Sequence, residues 1–306
     1  MTRPPRDIGA SVRARLLARY GVREEFQFVL QRYASERFLY RLGRSPHRHR
    51  LVLKGGMLLA LWGGSAYRPT RDLDFAGFGS PDPDSLLASF REICAQVVED
   101  DGLAFDLASL AAEPIRDAAE YGGLRITVSA TLAAARIPLQ IDVGFGDAIE
   151  PAPEDVVYPT LLDAPAPRVR AYAREPAIAE KLHAMVEYGE RNTRYRDFYD
   201  VFTLAQGFEF EGRRLARAVA ATFERRSRPI DVSTLPVLTA TFFADDARAA
   251  QWRSYLRKND LVAAPGDFAA VGELLRSFLG PAWDAVAAGS VFDLTWKPGG
   301  PWRIVS

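Results

Sequence analysis

RDLDFAGF, residues 71–78, alternates acidic and apolar side chains with a period of two. Successive side chains of a strand point to opposite faces, so this spacing predicts a strand with Asp72 and Asp74 on one side and Leu73 and Phe75 on the other. Two carboxylates on one face repel each other unless a cation lies between them. Oxygen-only donors of this kind suit Mg2+, which takes one or two protein carboxylates plus substrate phosphates. A DxD also arises by chance on solvated strands, so its neighbours decide its reading.

Upstream, LVL at 51–53 reads as a short buried strand entering a Lys54-Gly55-Gly56-Met57 turn and a helix that ends at Gly63 and Gly64. Backbone N–H groups at such a turn can hold a triphosphate, which makes Lys54, Gly55 and Gly56 candidate nucleotide contacts. Arg68 and Arg71 border the acid pair, placed either to contact phosphate or to neutralise Asp72 and Asp74. Downstream, residues 122–132 and 135–145 are both strand-like, and the small residues joining them predict antiparallel neighbours. In LQIDV, 139–143, the apolar positions share one face and Asp142 takes the other, so a neighbouring strand can add a third carboxylate to the site. Three carboxylates can hold two metal ions ~3.5–4 Å apart, which activate an attacking hydroxyl and stabilise a leaving pyrophosphate. Asp147 reads as a turn residue.

Around this centre the chain divides by pattern. Residues 1–49 read as an N-terminal helical arm and 50–167 as an α/β or α+β core. Prolines at 151, 153, 159, 165 and 167 mark a linker or crossing loop and place a boundary near 168. Residues 168–306 then read as a helical lobe with a tail, its helices at 174–192, 196–207, 213–226 and 266–280. Lys181 lies in the first of these. In RYRDFYD, 194–200, helical spacing puts Asp197 and Asp200 on one face with Phe198, Val201 and Phe202 able to pack inward; taken alone, this is also the pattern of an amphipathic helix with local ion pairs. His47, His49 and His183 lack the spacing of a metal site.

Composition bounds the function. The 39 basic and 39 acidic residues cancel, yet residues 1–71 carry fifteen basic against four acidic groups and residues 72–167 four against eighteen. A cationic flank before an acidic centre suits a polyanion steered to a carboxylate and metal site, or simply two solvated faces. The single cysteine, Cys94, excludes an intramolecular disulfide, and no window approaches ~18 apolar residues, so no membrane segment and a cytoplasmic location are expected.

Taken in order, LVLKGGMLLALWGG, RDLDF, LQIDVGFGD, EKLHAM and RYRDFYDVF resemble the AbiEii/AbiGii toxin family, within the DNA polymerase β-like nucleotidyltransferase superfamily, over residues 50–206. The resemblance implies an α+β fold of two lobes, a nucleotidyltransferase core with a mixed sheet plus a C-terminal helical lobe, and an active site between them. It implies that Asp72, Asp74 and Asp142 bind Mg2+, that Lys181 of the KLxA-like motif contacts nucleotide phosphate, and that Asp197 or Asp200 completes the site. It further implies transfer of NMP from NTP to an RNA acceptor, with tRNA as the expected one, by the toxin of a toxin–antitoxin or abortive-infection system whose antitoxin is encoded nearby. The alternatives are a degenerate module that binds RNA or protein, and transfer to a protein or small-molecule hydroxyl. Two positions depart from the family's pattern: Met57 follows the glycines where a Gly-Ser is usual, and Arg196 stands where a lysine is common.

Overall fold

A two-residue turn fixes the register of the central sheet. In the computed structural model, which describes residues 7–21, 25–63, 68, 70–115, 122–227, 230 and 236–304, strands β4 (Gly123–Leu132) and β5 (Ala135–Phe145) pair antiparallel about Ala133 and Ala134. Ala133 takes the left-handed conformation, φ 52°, that such tight hairpins demand. Counting back from Leu132 opposite Ala135 places Arg125 directly opposite Asp142.

The chain forms two compact units. The first comprises Met1–Leu61, Thr70–Gly146 and Glu154–Ala171, and the second Trp62–Pro69, Asp147–Pro153 and Tyr172–Ser306. In the first unit the hairpin joins β1 (Leu51–Lys54), β2 (Leu73–Gly77), β3 (Leu103–Pro114), β6 (Glu154–Val157) and β7 (Arg168–Ala171) in a seven-stranded sheet of order β3-β4-β5-β2-β1-β7-β6. The sheet is mixed, with β2 parallel to β5 and β1 parallel to β7. The proline-rich stretch read as a linker or crossing loop thus contributes an edge strand, β6, whose paired residues contain no proline. Prolines are tolerated beside an edge strand because no ladder N–H is lost there.

The residues expected as a helical arm supply α1 (Ile8–Tyr20) and α2 (Phe26–Arg44) to this unit, which also holds α4 (Pro83–Cys94) and most of α3 (Met57–Gly63). Helix α2 buries thirteen residues and packs on β5, β7 and α4. Its Phe38 meets Phe90 of α4 in a stack at 5.6 Å, Phe105 of β3 at 6.2 Å and Phe75 of β2 at 6.3 Å between centroids. Because Phe75 faces this cluster, Asp74 faces the opposite side of the sheet. Buried charges on the same helix have local partners: Arg41 chelates Asp101 at 2.7 and 3.1 Å, Glu36 accepts the Leu161 N–H at 2.6 Å, and Arg37 pairs with Glu36 at 2.7 Å and donates to the Pro165 carbonyl at 2.9 Å. These last two contacts tie the proline-rich stretch to α2.

The second unit contains α5 (Arg174–Tyr188), α6 (Tyr195–Gly207), α7 (Gly212–Arg225), α8 (Ala240–Phe243), α9 (Asp246–Lys258) and α10 (Phe268–Ala287). A small sheet of order β10-β9-β8 accompanies them, from β8 (Phe210–Glu211), β9 (Leu294–Trp296) and β10 (Trp302–Ile304). The tail is held by Trp296, which is fully buried and donates its indole N–H to the Ala205 carbonyl at 2.7 Å.

Truncating the aromatic hub tests this packing. Phe38→Ala is expected to cost ~3–5 kcal/mol, read as a lower urea midpoint with unchanged slope, and Phe38→Leu clearly less. Equal losses in the two variants would mean that Phe38 does not seat β2.

Candidate active site

Five ionisable side chains form a single row across five strands of the sheet. Register places Glu113 of β3 opposite Arg125 of β4, Arg125 opposite Asp142 of β5, Asp142 opposite Asp74 of β2, and Asp74 opposite Lys54 of β1. Residues in register on neighbouring strands project from the same face, so all five lie on the side away from the Phe38 cluster. Asp72, one residue before β2, is exposed, and its charge acts on Arg125. Asp74, Asp142 and Lys54 are half-buried. Asp74 and Asp142, two of the three carboxylates expected on one sheet face, are thus neighbours in register.

Arg125 chelates Asp142 with two hydrogen bonds of 2.8 Å, Nε to Oδ1 and Nη2 to Oδ2. This bidentate contact holds the guanidinium well above its ordinary pKa, with the charges of Asp142, Asp72 and Glu113 acting in the same direction. Turning the Gln140 amide by 180° gives the same guanidinium a further acceptor at 3.2 Å from Nε and Nη2. Gly55 sits at φ 70°, and a β-carbon there would overlap Oδ2 of Asp74. Read from sequence as part of a phosphate cradle, this glycine is also what lets the Asp74 carboxylate lie against the turn.

A second ionic cluster lies within the other unit. Lys181 of α5 bridges two carboxylates of α6, its Nζ 2.5 Å from Asp200 Oδ2 and 3.2 Å from Asp197 Oδ1. Arg68 chelates Asp200 from its other side, Nε to Oδ1 at 2.8 Å and Nη2 to Oδ2 at 3.0 Å, and Arg194 donates to Asp197 at 2.7 Å. Asp200 and Asp197 are almost completely buried, at 0% and 3% side-chain exposure, so each needs the partners it has. Three cations against two carboxylates leave one positive charge in excess, while Lys181 and Arg68 keep 14% and 12% of their side chains exposed. Burial alone would depress the pKa of Lys181, but Asp200 and Asp197 override it and hold the ammonium above its usual range. Burial likewise pushes Asp197 up, and Lys181 and Arg194 outweigh it to hold the carboxyl below its usual range.

The remaining expected residues fall elsewhere. Arg71 is exposed and pairs with Glu25 at 3.4 Å. Asp147, read as a turn residue, accepts from the Tyr172 hydroxyl at 3.4 Å. His47 pairs with Glu92 at 2.8 Å, and His183 packs its ring edge-on against Phe223. The donors that fit a hard divalent cation are Asp72 and Asp74, which supply only oxygen from one face. Among the described residues no group of three or more His, Cys, Asp or Glu is arranged to hold a metal ion, and Asp142 already carries Arg125. Arg125 and Glu113 escaped the sequence reading although the hairpin turn was visible in it.

The model of the AbiEii nucleotidyl transferase toxin family, a type IV toxin–antitoxin system, matches residues 37–288. The chain belongs to this family. Among solved structures, JHP933 from Helicobacter pylori aligns at 16% identity over 87% of this chain and 94% of that one, with a TM-score of 0.47. A candidate nucleotidyltransferase from H. pylori aligns at 17% identity over 83% and 92%, with a TM-score of 0.43. No curated protein matches. This AbiEii-family protein is thus a nucleotidyltransferase of a toxin–antitoxin system, and membership implies a cognate antitoxin. No helix among the described residues is long and apolar enough to cross a membrane.

In this family member the two departures from the common motifs have structural accounts. Met57, in the usual serine position, is buried, and the Tyr158 hydroxyl lies 3.3 Å from its carbonyl oxygen and 3.8 Å from its sulfur, so its side chain belongs to the core. Arg196, in the lysine position, is exposed, and it is Arg194 that bonds Asp197.

Two variants probe these clusters. Gly55→Ala forces the Asp74 carboxylate aside and is expected to lower nucleotidyl transfer ~100-fold while costing only ~1–2 kcal/mol of stability; wild-type activity would show that Asp74 needs no such seat. Because Asp197 has a lowered pKa in the fold, its contribution is complete above the unfolded value of ~3.9 and is lost as pH falls through the folded value. Asp197→Asn should therefore be less stable than wild type at pH 7, with the gap closing below about pH 4 in acid titrations of the urea midpoint.

Proposed function

We propose that this protein transfers an NMP unit from an NTP to a hydroxyl of an RNA acceptor, tRNA being the favoured one, with Mg2+ as cofactor, and that it does so in the cytoplasm as the toxin partner of an antitoxin encoded beside it. The observation that carries the reading is the sheet row: Asp74 with Asp142 and Lys54 in register on either side, and Asp72 just before the strand with its charge acting on Arg125 in the same row.

Asp72 and Asp74 would hold the Mg2+ ion, which when bound offsets the charge that builds on the leaving pyrophosphate. Lys54 and the Gly55-Gly56 turn border this pair and bind the phosphates. In the other unit Lys181 is the candidate nucleotide-phosphate contact, its ammonium positioned by Asp197 and Asp200, with Arg68 holding Asp200. In the reaction the acceptor oxygen attacks the α-phosphorus, the bond to the β-phosphate breaks, pyrophosphate leaves, and the acceptor proton passes to water or to an adjacent carboxylate. Asp142, fixed by Arg125, borders the acid pair on the sheet.

Support for RNA as acceptor comes from the basic flank. Helix α1 has no acidic residue in its first turn and exposes Arg13, Arg15 and Arg19, and Arg71 is exposed one residue before Asp72. Such arginines attract a phosphate backbone without reading its sequence.

The test is incubation of the purified protein with total RNA, Mg2+ and each α-labelled NTP in turn, beside Asp74→Asn. Label in a tRNA-sized band with wild type and none with the variant is the expected result. Label in protein or in a small molecule would move the acceptor, and equal behaviour of the variant would refute the role given to Asp74.

A further inference from the structure

The third carboxylate of the row is already answered. Asp142 offers both of its oxygens to Arg125, and the charges of Asp72 and of Glu113, its register partner on β3, add to the negative field around the guanidinium. A second divalent ion shared between Asp74 and Asp142 would have to lie beside this guanidinium, or break both 2.8 Å hydrogen bonds and leave the arginine facing a dication. The charges of the row point the same way. Glu113, Asp142 and Asp74 of the row, with Asp72 beside it, against Arg125 and Lys54 sum to a formal −2, which a single divalent cation neutralises.

We infer that Arg125 stands in the place of a second metal ion, so that the site works with one divalent cation, held by Asp72 and Asp74, and Asp142 serves to fix the guanidinium rather than to ligate metal. This rests on the proposed metal role of Asp72 and Asp74 and goes beyond it, because it assigns to a residue of β4 the positive charge that a two-metal site draws from its second ion. A planar fork held by two parallel hydrogen bonds is a fixed charge that is always protonated, so it needs no divalent ion to be captured before each turnover.

The metal alone tests this. Titration of the full chain with Mn2+, followed by the electron paramagnetic resonance of the free ion, is expected to give one bound Mn2+ per wild-type chain and none per Asp72→Asn/Asp74→Asn chain. Arg125→Gln should bind two, with the spin-coupled signal of ions ~3.5–4 Å apart, and Arg125→Lys, which keeps the charge, should stay at one and shows that a change at this position leaves a folded metal-binding protein. Two Mn2+ on wild type, or one on Arg125→Gln, would overturn the inference while leaving the transfer reaction standing. No Mn2+ on wild type would overturn both the inference and the metal role on which it rests.

Discussion

Asp74 and Asp142 face each other in register on neighbouring parallel strands, an apposition that like charges resist. The sheet tolerates it because cations flank the pair in the same row, Lys54 on β1 and Arg125 on β4. Each of these places depends on a turn. The Gly55 turn gives Asp74 room, and the Ala133–Ala134 turn sets which β4 residue meets Asp142. Behind the row, the packing of Phe38 against Phe75, Phe90 and Phe105 fixes which face of β2 is apolar, and so which face carries the acids.

The same logic recurs in the helical unit at higher cost. Buried carboxylates are tolerable only with partners in good geometry, and Asp200 has two, each from a different part of the chain. The cluster joins α5 to α6 through charge as well as apolar packing, with Lys181 bonded to both Asp197 and Asp200. Membership of the AbiEii family gives this arrangement a chemical context that neither cluster carries alone.

Much of this was legible from sequence because it is local. Period-two alternation exposed Asp72, Asp74 and Asp142, and three-residue spacing put Asp197 and Asp200 together. The symmetry of a two-residue turn also encodes Arg125 opposite Asp142, once both strands are aligned from Ala133 and Ala134. Other features resist reading for physical reasons. The pairing of Arg68 with Asp200 spans 132 residues and leaves no periodic trace. Helix α9 buries only Trp252 and Leu256, too few apolar positions to reveal a stripe, and β6 is four residues long amid prolines. The tail strands β9 and β10 are three residues each, and their place is set by the burial of Trp296 rather than by alternation.

The path of the chain through Arg68 bears on how the protein can be dissected. Residues 62–69 and 147–153 are interruptions of the sheet unit's sequence that belong to the helical unit. A helical fragment beginning at Tyr172 would lack Arg68 and leave the fully buried Asp200 with Lys181 as its remaining chelating cation. No single cut in the chain therefore separates the two units with the Arg68–Asp200 pair intact.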